Sequence, residues 1–150
     1  MIPPTLIITM RIAETMARLS TCGSKHKVGA VLTSPNGNVI ATGYNGPPKQ
    51  WKSCDYPVPG ALCVRDSDDR CITALHAEEK VIIECALLKQ SPKGGYLYIT
   101  LAPCIRCARL IVEAQIARVY YSGIPTSSNG LALLKDHVKL YHVYISKSED

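Results

Sequence analysis

The sequence predicts an α/β fold in three layers (α/β/α), with a mixed five-stranded sheet between the helices. Three observations predict it. Strand-like and helical segments alternate in the second half of the chain, which is typical of parallel crossover units. Two earlier apolar stretches flank a Ser-Pro-Asn-Gly turn and so predict an antiparallel hairpin. Several segments carry apolar residues at helical spacing, enough to cover both faces of the sheet.

The first elements follow from periodicity and turn chemistry. A helix is predicted from Thr5 to Leu19, where apolar residues recur every three or four positions. Two strands are predicted at 28–33 and 38–43. Between them, Asn36-Gly37 supplies the positive φ angles that a tight hairpin needs, so these strands pair antiparallel.

The second half of the chain continues with helices and strands in turn. A helix begins after Ala74 and runs to about Lys89, before a segment with Pro and two Gly. The remaining elements are a strand at 96–100, a helix at 104–114, a strand at 118–122, a helix at 128–137 and a strand at 140–146.

The segment from Tyr44 to Ile72 does not fit this alternation. It is rich in Pro, Gly, Asp and Ser and shows no periodicity. An irregular loop of this length is unusual inside a compact domain, so we expect something to hold it in place. We therefore predict one domain over residues 1–150, with a cysteine-rich insertion at about 44–72.

Composition narrows the class of protein. The chain has 150 residues, seven cysteines and a net charge of +5. An odd cysteine count excludes a closed set of disulfides, and the opening MIPPTLIITM lacks the features of a secretory signal, so we expect a cytoplasmic protein with reduced thiols. No apolar run reaches the roughly 18 residues that span a bilayer. The scattered basic residues favour a small anionic ligand over a long nucleic acid or a membrane.

Two short motifs indicate a metal site. His76-Ala77-Glu78 opens one predicted helix, and Pro103-Cys104-Ile105-Arg106-Cys107 opens the next. Cys104 and Cys107 share a face of the first turn of their helix, and His76 lies at the N-terminus of the other helix. The metal should therefore lie between two helix N-termini. One His and two Cys leave a fourth zinc position open, and Glu78 is an uncoordinated carboxylate that can carry protons. The pattern predicts a catalytic zinc site.

An H-x-E motif followed by P-C-x-x-C is the signature of zinc nucleobase deaminases. With further matching segments, the chain resembles the deoxycytidylate deaminase family. These segments are Ser20-Thr21-Cys22, Val28-Gly29-Ala30-Val31, Gly43-Tyr44-Asn45-Gly46, His76-Ala77-Glu78-Glu79 and Ser122-Gly123. The resemblance implies a cytidine deaminase-like fold and conversion of dCMP to dUMP and ammonia, which feeds thymidylate synthesis. Some members also accept dCTP.

The resemblance also implies roles for individual residues. His76, Cys104 and Cys107 match the zinc ligands, and Glu78 matches the proton shuttle. The candidate substrate-binding residues are Asn45 (sugar), the main-chain N–H of Ala77 (base edge), Val28, and Lys25, Lys27 and Tyr121 (phosphate). The alternative for Asn45 is a turn residue that precedes Gly46. Solvated lysines and a core tyrosine are the alternative for the phosphate set. Arg106 either faces a nucleotide or lies on a solvated surface.

Four other cysteines form a candidate structural zinc site: Cys22, Cys54, Cys63 and Cys71. Zinc bound there would order the long loop, with a binding free energy on the order of 10 kcal/mol. Some members of the resembled family carry a second zinc in this region. The alternative is that these are ordinary reduced thiols, since their spacings are not compact. Cys85, mid-helix, is predicted to be a small buried hydrophobe.

Two other functions share parts of the pattern. A tRNA adenosine deaminase has the same metal motifs, but the predicted last strand is followed only by Lys-Ser-Glu-Asp rather than by a basic helix. A non-catalytic, zinc-stabilised nucleotide-binding module would have no use for Glu78. The resemblance further implies a homo-oligomer, often a hexamer, activated by dCTP and inhibited by dTTP.

Overall fold

The computed structural model describes residues 4–20, 26–51, 64–124 and 127–146. In these ranges it contains every predicted helix and strand. The elements are α1 Pro4–Ala17, β1 Gly29–Thr33, β2 Val39–Tyr44, α2 Ala77–Leu87, β3 Tyr96–Ile99, α3 Ile105–Glu113, β4 Arg118–Tyr121, α4 Asn129–Leu134 and β5 Lys139–His142.

The five strands form one mixed sheet in the order β2-β1-β3-β4-β5. Strand β1 pairs antiparallel with both β2 and β3, whereas β3, β4 and β5 run parallel. The predicted fold class is confirmed: an antiparallel hairpin is continued by parallel crossover units. The carboxyl end of β3 therefore leads directly into the loop before α3.

The sheet is covered on both faces, because alternate residues of each strand enter different cores. On one face, α1 packs Met10 and Ala13 against Val31 of β1. On the other face, Val81 of α2 and Ile111 of α3 lie in a core cluster with Leu32 and Leu97, as does Leu134 of α4. All of these side chains are buried. The two helices that open with the predicted metal motifs, α2 and α3, therefore lie on the same face of the sheet.

The hairpin turn differs from the prediction. Gly37 has a positive φ of 88°, but Asn36 does not adopt a positive φ. The turn runs from Ser34 to Gly37, closed by a 2.9 Å hydrogen bond from the Gly37 N–H to the Ser34 carbonyl. Pro35 favours the second position of such a four-residue turn, so one left-handed residue is enough. The register shifts at Thr33 as a result.

The last two elements are shorter than predicted. Helix α4 ends at Leu134, and β5 covers only Lys139–His142, although the Val143 N–H still bonds the Tyr121 carbonyl at 2.8 Å. Beyond each element, single hydrogen bonds such as that from the Val138 N–H to the Leu134 carbonyl continue without regular helix or strand structure. In the described part of the chain, no helix is both long enough and apolar enough to cross a membrane.

Candidate metal centre

The first half of the site is the start of α2. His76 is the N-cap residue of this helix, with extended backbone angles. Just before it, Leu75 forms two backbone hydrogen bonds with Gly46, which follows β2. Gly43 lets the helix approach this strand, because a Cβ there would lie 2.8 Å from the Ala77 carbonyl oxygen. The end of β2 thus supports the first turn of α2.

The second half is the start of α3, where Cys104 is the N-cap residue and Cys107 lies one turn into the helix. The loop from β3 is held by a 2.9 Å hydrogen bond from the Ala102 N–H to the Gly123 carbonyl. Gly130 of α4 packs directly on this loop, since a Cβ there would lie 2.0 Å from the Pro103 oxygen. Two further elements therefore position the cysteine-bearing turn.

His76, Cys104 and Cys107 converge, with their donor atoms all within 4.8 Å of one another. His76 Nδ1 lies 3.5 Å from Cys104 Sγ and 3.3 Å from Cys107 Sγ. Tetrahedral zinc with bonds of about 2.3 Å to sulfur and 2.0 Å to nitrogen separates N and S ligands by roughly 3.5 Å. The donor set and its spacing therefore fit zinc. Among the described residues, these three form the group whose geometry could hold a metal ion.

Glu78 lies in the first turn of α2, beside these donors but outside the three-donor group. Its side chain is buried, with 4% of the residue exposed. Burial raises the pKa of this carboxyl to about 7, although hydrogen bonds from its own backbone N–H and from Cys107 oppose the shift. A carboxyl group with such a pKa can both accept and release a proton near neutral pH.

The two cysteines have opposite acidities in the metal-free site. The hydrogen bond from Cys107, assisted by His76, lowers the pKa of Cys104 to about 3. The same contact with the Cys104 thiolate, together with burial, raises the pKa of Cys107. The pair therefore favours one thiolate at Cys104, and a divalent cation would favour ionisation of Cys107 as well.

An ion pair that the sequence did not reveal joins the two helices. Arg106 Nη2 donates to Glu79 Oε1, and the same carboxylate oxygen accepts the backbone N–H of His76 at 3.3 Å. Arg106 was predicted either to face a nucleotide or to lie on a solvated surface. Its side chain is 59% exposed, which agrees better with a solvated surface. The His-x-x-Glu spacing of a helix-capping box was the available sequence signal for Glu79.

Asn45 lies near the metal centre, beyond the end of β2, and is buried. Its Oδ1 accepts the Val28 N–H at 2.8 Å, and its Nδ2 donates to the His26 carbonyl at 2.9 Å. Its backbone N–H also bonds the Val28 carbonyl. Asn45 therefore stabilises the segment that leads into β1. Its contact with the sugar of a substrate stays a prediction.

Two of the three predicted phosphate residues, Lys27 and Tyr121, lie in the described part of the chain. Lys27 is exposed, beside buried Val28, while Lys25 lies outside the described residues. Tyr121, at the end of β4, is half-buried and stacks on His142 with ring centres 5.0 Å apart. Its ring also packs against the core. The contacts of Tyr121 match the core-tyrosine alternative, and its role toward phosphate stays a prediction.

Of the four cysteines predicted to bind a second zinc, only Cys71 falls in the described part of the chain. Its Sγ accepts a hydrogen bond from the Ala74 N–H at 3.4 Å. The Cys71 backbone pairs with Arg65 in an isolated antiparallel β-bridge. Cys22, Cys54 and Cys63 lie outside the described residues. Cys85 is fully buried in α2, as predicted for a small hydrophobe.

Comparison with known proteins agrees with this geometry. The family model for the cytidine and deoxycytidylate deaminase zinc-binding region matches residues 5–123. The deoxycytidylate deaminase of Mycobacterium phage D29 is 35% identical over 117 residues, which cover 73% of this chain and 88% of the phage protein. ComE operon protein 2 of Bacillus subtilis is 34% identical over 113 residues, 75% of this chain, and the chain spans 56% of that relative's length.

A solved structure extends the similarity to the fold. The dCMP deaminase of cyanophage S-TIM5, in complex with dCMP and dUMP, superposes with a TM-score of 0.81 and 28% identity. The match covers 95% of this chain and 99% of the phage chain. The matched region includes both halves of the metal centre. This chain belongs to the cytidine and deoxycytidylate deaminase zinc-binding family.

Proposed function

We propose that this protein is a zinc-dependent deaminase that hydrolyses dCMP to dUMP and ammonia. The observation that carries the proposal is a buried, uncoordinated carboxyl group, Glu78, beside three donors spaced for zinc. A structural zinc site has no use for such a group. The similarity to phage proteins named for dCMP deamination supports the choice of substrate.

His76, Cys104 and Cys107 are the proposed zinc ligands. Three protein ligands are typical of catalytic rather than structural zinc sites. Zinc held by them would make water acidic enough to act as a nucleophile near neutral pH. The positive ends of α2 and α3 favour the negative charge that the thiolates bring to the site.

Glu78 is the proposed proton carrier. It accepts a proton from the attacking water and gives it to N3 of cytosine as oxygen adds to C4. A second proton from the same water then leaves with the exocyclic amine, so that one water replaces one ammonia. The Ala77 N–H lies in the first turn of α2, where backbone donors have no partner within the helix, and it is the proposed contact for the base edge.

The remaining substrate contacts are proposed by position. Asn45 and Val28 lie at the junction of β2 and β1, next to the segment that leads into His76. We assign the sugar to this junction. Lys25, Lys27 and Tyr121 remain the proposed phosphate contacts, because a monophosphate requires donors of positive or hydroxyl character.

A substrate panel tests the proposed function. We expect zinc-loaded protein to release ammonia from dCMP. The same assay measures any activity on dCTP. CMP and an adenosine-containing tRNA serve as the alternative substrates. Turnover of the tRNA alone would identify a tRNA adenosine deaminase, and turnover of neither dCMP nor dCTP would contradict the proposal. We also propose that the protein is a homohexamer that dCTP activates and dTTP inhibits. Addition of each nucleotide to the dCMP reaction tests the regulation, and the molecular mass in solution tests the hexamer.

We also propose that Cys22, Cys54, Cys63 and Cys71 bind a second, structural zinc within a single domain of residues 1–150. We expect about two zinc ions per chain by elemental analysis. Cys54→Ser should then lower Tm more than Cys85→Ser does, because it removes a ligand that orders a loop. One zinc per chain, with Cys54→Ser harmless, would contradict this second site.

The cellular role follows from the chemistry. dUMP is the substrate for methylation to thymidylate, so we propose that the reaction feeds thymidylate synthesis. Ionised zinc-binding thiols persist where the surroundings are reducing, and we propose the cytoplasm as the place of action.

A further inference from the structure

The ion pair between Arg106 and Glu79 links the two turns that carry the metal donors. Arg106 lies between Cys104 and Cys107 in the sequence, and Glu79 lies three residues after His76. Glu79 Oε1 accepts both the Arg106 guanidinium and the His76 backbone N–H. A single carboxylate oxygen thus connects the histidine of α2 to the cysteine-bearing turn of α3.

The helix dipole favours the position of Glu79 but disfavours that of Arg106. Glu79 lies in the first turn of α2, where the helix dipole favours a carboxylate. Arg106 lies in the first turn of α3, where the dipole disfavours a cation. Arg106 therefore depends on negative partners for its position. The negative partner that the structure shows is Glu79, whose Oε1 accepts the Arg106 guanidinium.

The contact is distinctive among the ion pairs of the described residues. The others lie within α1, within the loop at 65–70, or between Lys49 and α2. The Arg106–Glu79 pair joins two helices. Glu79 is well shielded, with 13% of its side chain exposed, whereas the Arg106 side chain is 59% exposed, so solvent screens this interaction only in part.

We propose that Glu79 and Arg106 are positioning residues that hold His76 at the correct distance from Cys104 and Cys107 and so slow the loss of zinc. The inference rests on the proposed function only in taking zinc as the metal. One donor comes from α2 and two from α3, so any movement between the helices changes the N–S distances of 3.3 and 3.5 Å. Partners that orient metal ligands commonly affect metal affinity or activity by 10-fold or more.

The alternative role of Arg106 makes a different prediction. An arginine that binds the nucleotide would act on substrate affinity and would not depend on Glu79. A positioning pair would act on zinc retention, and the two residues would act through each other. Zinc release and the separate values of kcat and KM therefore distinguish the two roles.

The test uses the zinc-loaded full chain and four variants. Arg106→Met removes the guanidinium, Glu79→Gln removes the charge, the double variant combines them, and Arg106→Lys restores a cation. Arg109→Met and Glu113→Gln are matched controls on α3, where both residues are exposed. The rate of zinc transfer to a chromogenic chelator is measured for each, followed by kcat and KM for dCMP.

We expect zinc to leave about 10-fold faster in Arg106→Met and in Glu79→Gln. The double variant should be no faster than the faster single variant, Arg106→Lys should recover part of the effect, and the controls should match the wild type. Unchanged zinc release in both single variants would overturn the proposal. So would a rise in KM in Arg106→Met without one in Glu79→Gln. Zinc release is measured without substrate, so failure of dCMP turnover would contradict the proposed function alone.

Discussion

We expect Glu78→Gln to lower kcat for dCMP by about 10²–10⁴-fold while the protein keeps its catalytic zinc. Glutamine has nearly the same shape as glutamate but cannot accept and release the proton. Glu78 lies outside the group of three converging donors, so its replacement should not remove the metal. Its buried position, which raises its pKa to about 7, is the reason that it is suited to proton transfer.

Steady-state kinetics and zinc analysis of the same preparation check this result. Glu84→Gln is the matched control, because Glu84 lies on the same helix but pairs with Lys49 at the surface. The control should retain its kcat within about twofold, as expected for loss of a weak surface ion pair. Near-normal turnover by Glu78→Gln would show that another group carries the proton. Loss of zinc would instead make Glu78 part of the metal binding.

The second large effect is expected for Cys107→Ser, which should lose the catalytic zinc and with it measurable turnover. Serine is a poor zinc ligand, and two remaining protein donors do not form a stable catalytic site. If the chain carries two zinc ions, the ratio should fall by one, since the proposed four-cysteine site does not include Cys107. Dialysis against a weak chelator followed by elemental analysis measures the change.

Cys85→Ser is a close control for this variant. Both cysteines are fully buried, but Cys85 of α2 lies in the hydrophobic core and is not one of the three converging donors. Burial of a hydroxyl without a strong partner should lower the free energy of unfolding by about 1–3 kcal/mol and leave zinc and kcat unchanged. Equal loss of zinc in the two variants would mean that stability, rather than ligation, controls the metal content.

Much of this molecule could be predicted from local patterns. Helical periodicity and the strand-helix alternation predicted every element that the structure contains, and most of their limits to within two or three residues. The errors lie at element ends, as for α4 and β5, where buried apolar residues such as Val138 and Val143 follow the regular part of the element. Such residues pack against the core without being part of the element.

The site was predictable for a related reason. His76, Glu78, Cys104 and Cys107 each occupy the first turn of a helix, so short spacings determine which way their side chains project. Metal chemistry then restricts which residue types can serve. Asn45 was harder to interpret, because its hydrogen bonds to His26 and Val28 come from a segment 17 to 19 residues earlier in the chain.

Local patterns therefore predicted the elements, the alternation that defines the fold class and the residues proposed for the metal centre, since each of these patterns spans only a few neighbouring residues. Long-range packing fixed the neighbours that local patterns leave open. It placed β1 between β2 and β3, packed Gly43 and Gly130 against the starts of α2 and α3, and paired Glu79 with Arg106. Those contacts join residues far apart in the chain, and packing of the whole fold brings them together.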